Sequence, residues 1–220
     1  CIAIEDKRFE KHQGVDWVTT MRACFKMFLG KSEAGGSTIT QQFIKNATGE
    51  REVTVRRKLV EIYRALEFEK THTKPQIMEL YLNIIPLGEN CRGVQSASRV
   101  YFGKDVKDLT LAECASLIGI TNNPSQYGPY SLARVANSEG EMWTAVQWNK
   151  YRQEIILHEM LDQGYITQEE HDQAVAEELH FVGVNAGETE DDSTKTGEIY
   201  SWYEEAVISD VRDALKEEYD

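Results

Sequence analysis

Two adjacent carboxylates near the start of the chain, Glu5 and Asp6, could act in proton transfer. They stand just before Phe9 in the stretch Glu-Asp-Lys-Arg-Phe. Apolar surroundings raise the proton affinity of a carboxylate toward neutral pH, so such a pair suits general acid–base catalysis. An isolated Glu-Asp pair is also typical of a solvated acidic turn, and these residues alone leave both interpretations open.

A polar stripe follows on the helix that is predicted to begin after Gly35-Gly36. Ser37 and Thr38 are typical of a helix N-terminus, where free N–H groups and the helix dipole favour anions. Thr38, Gln42 and Lys45 stand at i, i+4 and i+7 and therefore share one face. Hydroxyl, amide and ammonium groups suit sugar and phosphate oxygens, although ordinary exposed helices carry such stripes too.

A third stretch places two cations close to one carboxylate. Arg57 precedes Glu61 by four residues and Lys58 precedes it by three, so all three side chains meet on a helix. The cations could grip a diphosphate through charge-assisted hydrogen bonds, and the carboxylate could hold a divalent ion beside a leaving group. The same spacing is typical of surface salt bridges.

Helical periodicity positions these stretches and predicts an all-α protein with long loops. Val55, Leu59, Ile62 and Leu66 mark one amphipathic face. Together with this periodicity, Pro75, the capping boxes at Thr110 and Thr167, and local composition predict the elements of the chain. They are helices at 54–69, after Pro75, after Thr110 and Thr167, at 141–164 and at 198–219, loops at 30–37 and 185–197, and a short strand from Leu179 to Val184.

Charge is divided unevenly along the chain. The 220 residues carry a net charge of −13, which argues against a nucleic-acid partner. Residues 1–110 hold 18 Lys and Arg against 14 Asp and Glu, a net charge of +4, whereas residues 111–220 hold 6 against 23, a net charge of −17. We therefore expect any site for an anionic substrate in the first half.

Cysteines, histidines and hydropathy exclude several other classes of protein. The four cysteines show no C-x-x-C spacing and predict free thiols, and the scattered histidines do not predict a metal site. No stretch is apolar enough to span a bilayer. Because the chain begins with Cys1, we expect it to be part of a longer protein.

Five ordered motifs together resemble the peptidoglycan glycosyltransferases. This is glycosyltransferase family 51, the transglycosylase domain of class A penicillin-binding proteins and of monofunctional transglycosylases. The similarity is close over 2–130 and looser over 150–182. The motifs are E-D-x-x-F-x-x-H-x-G from Glu5, G-G-S-T-I-T-Q-Q-x-x-K-N from Gly35, R-K-x-x-E from Arg57, the pair Ile77–Asn83 and Gly93–Lys104, and Leu109–Gly119 followed by Asn123-Pro124-Ser125.

The resemblance implies a mostly helical, lysozyme-like fold with a large head lobe and a small jaw lobe facing the membrane. We expect the glycosyltransferase domain to span 1–182, with the jaw at roughly 15–36. Residues 183–220 would form an acidic loop and a helical connector toward a domain that this sequence lacks.

The resemblance also implies a reaction and assigns residues to it. The substrate would be lipid II, a disaccharide-pentapeptide on undecaprenyl pyrophosphate, joined with inversion to the growing glycan chain. Glu5 would be the catalytic base, and Glu61 would assist the leaving diphosphate directly or through Mg²⁺ or Mn²⁺. Expected substrate-binding residues are Asp6, His12, Ser37, Thr38, Gln41, Gln42, Lys45, Asn46, Arg57 and Lys58.

Apolar residues of the jaw are expected at the membrane interface, although core packing would also explain them. They are Trp17, Met21, Phe25, Phe28 and Leu29. The resemblance places the protein at the extracytoplasmic face of the bacterial cell membrane, with an anchor helix outside this sequence. It also implies moenomycin sensitivity and leaves room for partners in cell-wall synthesis.

Two alternative functions remain open on the sequence. One is a lysozyme-like muramidase or lytic transglycosylase, which shares the catalytic glutamate but needs no diphosphate cluster. The other is a non-catalytic module that binds lipid II. Residues 131–149, which include Trp143 and Trp148, are longer than the family's usual connection, and the sequence assigns them no role.

Overall fold

The computed structural model describes residues 1–28, 36–49 and 54–182. Over these ranges the chain is mostly helical with a single two-stranded sheet, which confirms the predicted all-α class. The predicted loop at 185–197, the predicted helix at 198–219 and the expected connector at 183–220 lie outside the described residues.

The described ranges contain ten α-helices, two short 3-10 turns and one β-hairpin. Each helix predicted within these ranges is present and begins within a few residues of its expected start. The helices are α1 (Ile2–Glu5), α2 (Trp17–Phe28), α3 (Ile39–Thr48), α4 (Val55–Glu69), α5 (Lys74–Ile84), α6 (Val94–Phe102), α7 (Leu111–Ile120), α8 (Pro124–Tyr127), α9 (Ala145–Asp162) and α10 (Gln168–Ala176); the strands are β1 (Val135–Ala136) and β2 (Met142–Trp143).

The chain divides into two compact units. Among the described residues, the first comprises Cys1–Ile85 together with His158–Thr167, and the second comprises Pro86–Leu157 and residues 168–182. The described residues of the jaw expected at 15–36, which are 15–28 and 36, belong to the first unit; residues 29–35 lie outside the described ranges.

Helices α3, α4 and α5 of the first unit begin at capping threonines. Thr38 and Thr73 each form a capping box, and the hydroxyl of Thr54 accepts a hydrogen bond of 3.1 Å from the backbone N–H of Arg57. These caps satisfy N–H groups that have no partner within the helix. The core of the first unit includes the fully buried side chains Phe9, Ile39, Ala65, Ile77 and Tyr81.

Helix α4 turns a different face to the core than its apolar periodicity indicates. Val55 and Leu59 are 79% and 61% exposed, whereas Glu61 and Ala65 are buried. The backbone of Gly14 lies against α4 so closely that a Cβ atom there would be 2.6 Å from the carbonyl oxygen of Ala65. Only a helix face with a small residue at this point can pack there, so tertiary contact outweighs the apolar pattern.

Buried amide side chains join α7 and α9 in the second unit. Asn149 accepts a hydrogen bond of 2.6 Å from the Ser116 hydroxyl and donates one of 2.8 Å to the carbonyl oxygen of Tyr127. Gln153 donates a hydrogen bond of 3.1 Å to the carbonyl oxygen of Ala112. Because Asn149 and Gln153 are fully buried, these bonds fix how the two helices pack.

Within the stretch 131–149, strands β1 and β2 form the β-hairpin, which packs on α9 through aromatic rings. Val135 of β1 pairs with Trp143 of β2, and Gly140 in the turn has a φ of +86°. The Trp148 indole donates a hydrogen bond of 3.0 Å to the carbonyl oxygen of Val135. The rings of Trp143, Trp148 and Tyr151 lie 5.1–5.8 Å apart. The two tryptophans therefore hold the hairpin on the helix.

The strand predicted from Leu179 to Val184 is wrong for residues 179–182, which form no strand. Phe181 is buried against Phe102, with ring centroids 5.3 Å apart, and the N–H of Val182 donates to the carbonyl oxygen of Tyr101. The apolar pattern here reflects attachment to helix α6 rather than pairing with a strand.

Cys1, Cys91 and Cys114 form no disulfide among the described residues, as the sequence predicts. Burial, with a smaller contribution from the charge of Glu89, raises the pKa of Cys91 to about 11. Near neutral pH Cys91 is therefore in its thiol form, whereas the thiolate is the reactive form of cysteine.

Candidate active site

A cavity of about 470 Å³ lies in the first unit, beside the end of α1. Sites for small substrates fall in this size range. Four of the predicted site residues, Glu5, Asp6, Ser37 and Thr38, line it. The other lining residues, which the sequence did not single out for the site, are Ile4, Lys7, Arg8, Asp16, Thr19, Arg22 and Gly36.

Glu5 is the last residue of α1, and two successive hydrogen bonds between side chains orient its carboxylate. The Gln42 amide nitrogen donates a hydrogen bond of 3.0 Å to Oε2 of Glu5, and the Tyr81 hydroxyl donates one of 3.1 Å to Oε1 of Gln42. Burial and the charge of Glu5 raise the pKa of Tyr81 well above its ordinary value. Tyr81 therefore stays protonated and donates to the carbonyl oxygen of the Gln42 side chain. Because that oxygen faces Tyr81, the amide nitrogen of Gln42 faces Glu5.

Asp6 and His12 are engaged within the protein. Nε2 of His12 lies 2.9 Å from Oδ2 of Asp6, and the N–H of Ile39 donates to the same oxygen at 3.0 Å. Asp6 is 6% exposed and His12 is 9% exposed. This pair joins the end of α1 to the start of α3 and so supports the neighbouring Glu5. Their predicted contact with substrate stays a prediction.

Thr38 and Gln41 also build the start of α3. The Thr38 hydroxyl donates to the carbonyl oxygen of Gly14 at 2.6 Å and accepts from the N–H of Gln41 at 3.2 Å. Gln41 is fully buried. The predicted polar stripe therefore divides: Thr38 faces inward, Gln42 faces Glu5, and Lys45 is exposed.

The predicted cation cluster forms as the spacing indicates. Nη1 of Arg57 is 2.8 Å from Oε2 of Glu61, and Nζ of Lys58 donates to Oε1. Nζ of Lys58 also donates to the Ser37 hydroxyl at 2.7 Å. Glu61 is only 4% exposed, so its buried carboxylate pairs with both cations from the interior of the protein. Ser37 links the cluster to the segment that lines the cavity.

The surroundings of Glu61 do not fit a resident divalent ion. Both carboxylate oxygens of Glu61 already accept hydrogen bonds from cations. The described part of the chain holds no group of three or more His, Cys, Asp or Glu side chains that could bind a metal. Mg²⁺ or Mn²⁺ at Glu61 stays a prediction.

Asp16 anchors the start of α2 beside the cavity. Its carboxylate accepts hydrogen bonds from the N–H of Val18 at 3.0 Å, the N–H of Thr19 at 3.2 Å and the Thr19 hydroxyl at 2.7 Å. Burial alone would raise the pKa of Asp16, but the bonds from Thr19 and Val18 and the charge of Arg8 outweigh it. The pKa lies below its ordinary value.

We expect Asp16→Ala to lower the free energy of unfolding by about 1 kcal/mol at neutral pH, as loss of a helix cap does. A carboxyl with a depressed folded-state pKa stabilises the protein above its ordinary pKa of about 4 and loses that contribution as the pH falls through the folded value. The deficit should therefore shrink below about pH 4. Urea unfolding at several pH values measures it, with the exposed Asp108→Ala as a control; a pH-independent deficit would contradict the assignment.

One face of α2 exposes large apolar side chains. Trp17, Met21 and Phe25, at i, i+4 and i+8, are 55%, 68% and 67% exposed. All three are predicted membrane contacts. Leu29 and the side chain of Phe28 lie outside what the structure describes. Among the described residues, every helix is too short or too polar to cross a bilayer.

Sequence reasoning missed the structural roles of Tyr81 and Gly14. Tyr81 lies on the apolar face of a predicted helix, so periodicity marked it as core and gave no signal for its hydroxyl. Gly14 closes the first motif, and its φ of +80° with the contact to Ala65 shows why glycine stands there. In the sequence, only the position of Gly14 in this motif indicated that a glycine is needed there.

Comparison with known proteins identifies related sequences. The family model described as Transglycosylase matches residues 1–161. Penicillin-binding protein 1A of Clostridium botulinum is 37% identical over 227 residues, which cover 99% of this chain and 26% of that protein. Penicillin-binding protein 1A of Neisseria gonorrhoeae is 42% identical over 181 residues, covering 82% of this chain and 21% of that protein.

A solved structure, penicillin-binding protein 1A from Haemophilus influenzae, is 24% identical and covers 82% of this chain and 20% of that one, with a TM-score of 0.42. The chain thus spans about a quarter or less of the length of the curated relatives it matches.

Proposed function

The chain belongs to the transglycosylase family, and on that premise we propose that it is a peptidoglycan glycosyltransferase. It would join lipid II units into β-1,4-linked glycan strands with inversion and release undecaprenyl pyrophosphate. One observation supports this most: a single unit holds both an oriented carboxylate, Glu5, and a cluster of cations around Glu61. Sugar transfer from a diphosphate needs both.

Glu5 is the general base of this proposal. It takes the proton of the acceptor's 4-hydroxyl as that oxygen attacks C1 of the donor sugar, and the C1–O bond electrons leave with the diphosphate. The hydrogen bond from Gln42 holds the carboxylate in one orientation, and correct orientation of a base contributes much of its catalytic effect.

Arg57, Lys58 and Lys45 supply positive charge for the departing diphosphate. Glu61 holds Arg57 and Lys58 in place, and Lys45 presents an exposed ammonium group on α3. Charge that is fixed before the reaction stabilises a leaving anion without reorganisation. A neutralised diphosphate leaves without protonation, so no second carboxylic acid is required. Asn46, half-buried on the same helix, completes the proposed substrate contacts.

The exposed face of α2 would contact the membrane that carries the lipid substrate. Trp17, Met21 and Phe25 form its apolar surface, and Arg22, also exposed, provides a cation beside them. Amphipathic helices of this kind lie in the interface of anionic bilayers. The proposed location is the extracytoplasmic face of a bacterial cell membrane.

Incubation of the chain with labelled lipid II tests the proposed reaction. Gel analysis should show glycan chains, and moenomycin should suppress them. Cleavage of purified sacculi without polymerisation would instead favour a muramidase, and binding of lipid II without turnover would favour a non-catalytic module. A parallel reaction with a chelator tests the divalent-ion requirement separately.

Tyr81→Phe should slow polymerisation by roughly 10-fold, because Gln42 loses the hydrogen bond that turns its amide nitrogen toward Glu5. Misplacement of a catalytic group lowers the reaction rate by this factor or more. The free energy of unfolding should fall by about 1 kcal/mol, the usual contribution of one hydrogen bond. Initial rates and urea unfolding measure the two effects. Tyr63→Phe, at a tyrosine that is 64% exposed on α4, is the control; equal rates for both variants would rule out the orienting role.

A further inference from the structure

The C-terminal end of α9 holds the short helix that carries Glu5. The Gln163 amide nitrogen donates a hydrogen bond of 2.9 Å to the carbonyl oxygen of Ala3 and one of 3.1 Å to Oε2 of Glu159. Nζ of Lys7 donates to the same Glu159 oxygen. These contacts attach to the chain two residues before Glu5 and two residues after it.

Helix α1 needs such support because it is very short. It has four residues, and its N-cap, Cys1, makes no side-chain hydrogen bond to it. A single turn is unstable in isolation, since nucleation fixes several residues for one hydrogen bond. The Ala3 carbonyl belongs to the last turn, where carbonyl groups lack partners within the helix. Gln163 satisfies this group from outside.

Gln163 is itself held at a defined position. Gly164 follows it with a φ of +72°, its N–H donates to the carbonyl oxygen of Leu161 at 2.9 Å, and the N–H of Tyr165 donates to that of Met160 at 2.9 Å. This pattern of hydrogen bonds is a Schellman motif, which fixes the residue at which α9 ends. The end of α9 can therefore act as a fixed support for α1.

The charges agree with this arrangement. The hydrogen bond from Lys7 lowers the pKa of Glu159 more than partial burial raises it, and Gln163 adds a smaller effect in the same direction. Glu159 thus stays ionised near neutral pH and accepts both bonds. Lys7 is half exposed, so its ion pair contributes little energy, and Gln163 provides the main attachment.

We infer that Gln163, assisted by Glu159, is a positioning residue that sets the orientation of α1 and hence of the Glu5 carboxylate. Neither residue belongs to the predicted site, and neither lines the cavity. The inference rests on the proposed role of Glu5 as the base. Displacement of a reacting group by about 1 Å can cost on the order of 100-fold in rate, so a contact distant from the substrate can control the reaction.

Gln163→Leu should lower kcat for lipid II polymerisation about 10-fold and leave KM within a factor of about two, because no substrate contact is lost. Exchange of the backbone amide hydrogens of Glu5 and Asp6 should become faster, since these N–H groups donate to the carbonyl oxygens of Cys1 and Ile2 and so close the turn of α1. Gln173→Leu is the matched control, because Gln173 is exposed and its side-chain amide donates to Glu169 on its own helix.

A double substitution separates positioning from a general loss of stability. In a Glu5→Gln background, Gln163→Leu should not lower the residual rate further, since the group that it positions is gone. A second 10-fold fall there, a raised KM with unchanged kcat, or an unchanged kcat in the single variant would each overturn the inference. If Glu5→Gln alone retained the wild-type rate, the proposed base would be wrong instead, which distinguishes the two failures.

Discussion

Glu5→Gln should lower the rate of lipid II polymerisation by about 10²- to 10⁴-fold, the usual contribution of general acid–base catalysis. Glutamine keeps the size and shape of the side chain but cannot accept the proton of the attacking hydroxyl. Its amide oxygen can still accept the hydrogen bond from Gln42, so the surrounding side chains keep their positions. The loss should therefore appear in the chemical step.

Initial rates at saturating lipid II, together with thermal unfolding, measure this effect. The melting temperature should stay close to that of the wild type, because Glu5 is only half-buried and the hydrogen bond from Gln42 is retained. Glu10→Gln is the matched control, at an exposed glutamate of the same segment, and should leave the rate unchanged. A Glu5→Gln variant that polymerises at the wild-type rate would refute the assignment of the base.

Gly14→Ala should lower the free energy of unfolding by about 3 kcal/mol, from strain at a positive φ and from forced displacement of α4. The new Cβ would lie 2.6 Å from the carbonyl oxygen and 2.7 Å from the carbonyl carbon of Ala65. Both atoms belong to the backbone of α4 and cannot move separately. Since the carbonyl oxygen of Gly14 also accepts the Thr38 hydroxyl, the start of α3 should shift and activity should fall.

Gly49→Ala separates the two causes of this loss. Gly49 also has a positive φ, +64°, but a Cβ there would meet no atom of the described residues within 4 Å. It should cost only about 1 kcal/mol, the strain alone. Chemical denaturation of both variants gives the difference, about 2 kcal/mol, that comes from the contact with α4. Equal losses at the two glycines would mean that the approach of Gly14 to α4 is not tight.

Local patterns in the sequence predicted six of the ten described helices (α3, α4, α5, α7, α9 and α10), because the signals for a helix are themselves local. Thr110 and Pro75 mark helix starts through bonds and backbone angles within one turn. The hairpin in 131–149 was not predicted, since its pairing depends on Trp148 docking from another element. The exposed face of α4 was also unforeseen, because Gly14, far away along the chain, selects the face that packs.

The sequence by itself determined the chemical inventory of the site: a carboxylate at Glu5, a polar helix start at Thr38, and cations placed around Glu61 by helical spacing. Only the tertiary structure decided how these groups are used. It turned Asp6 and Thr38 inward as supports, oriented Gln42 through Tyr81, and brought Gln163 to the helix of Glu5. The physical reason is that spacing fixes neighbours within one helix, whereas hydrogen bonds between segments form only after the core has set their distances.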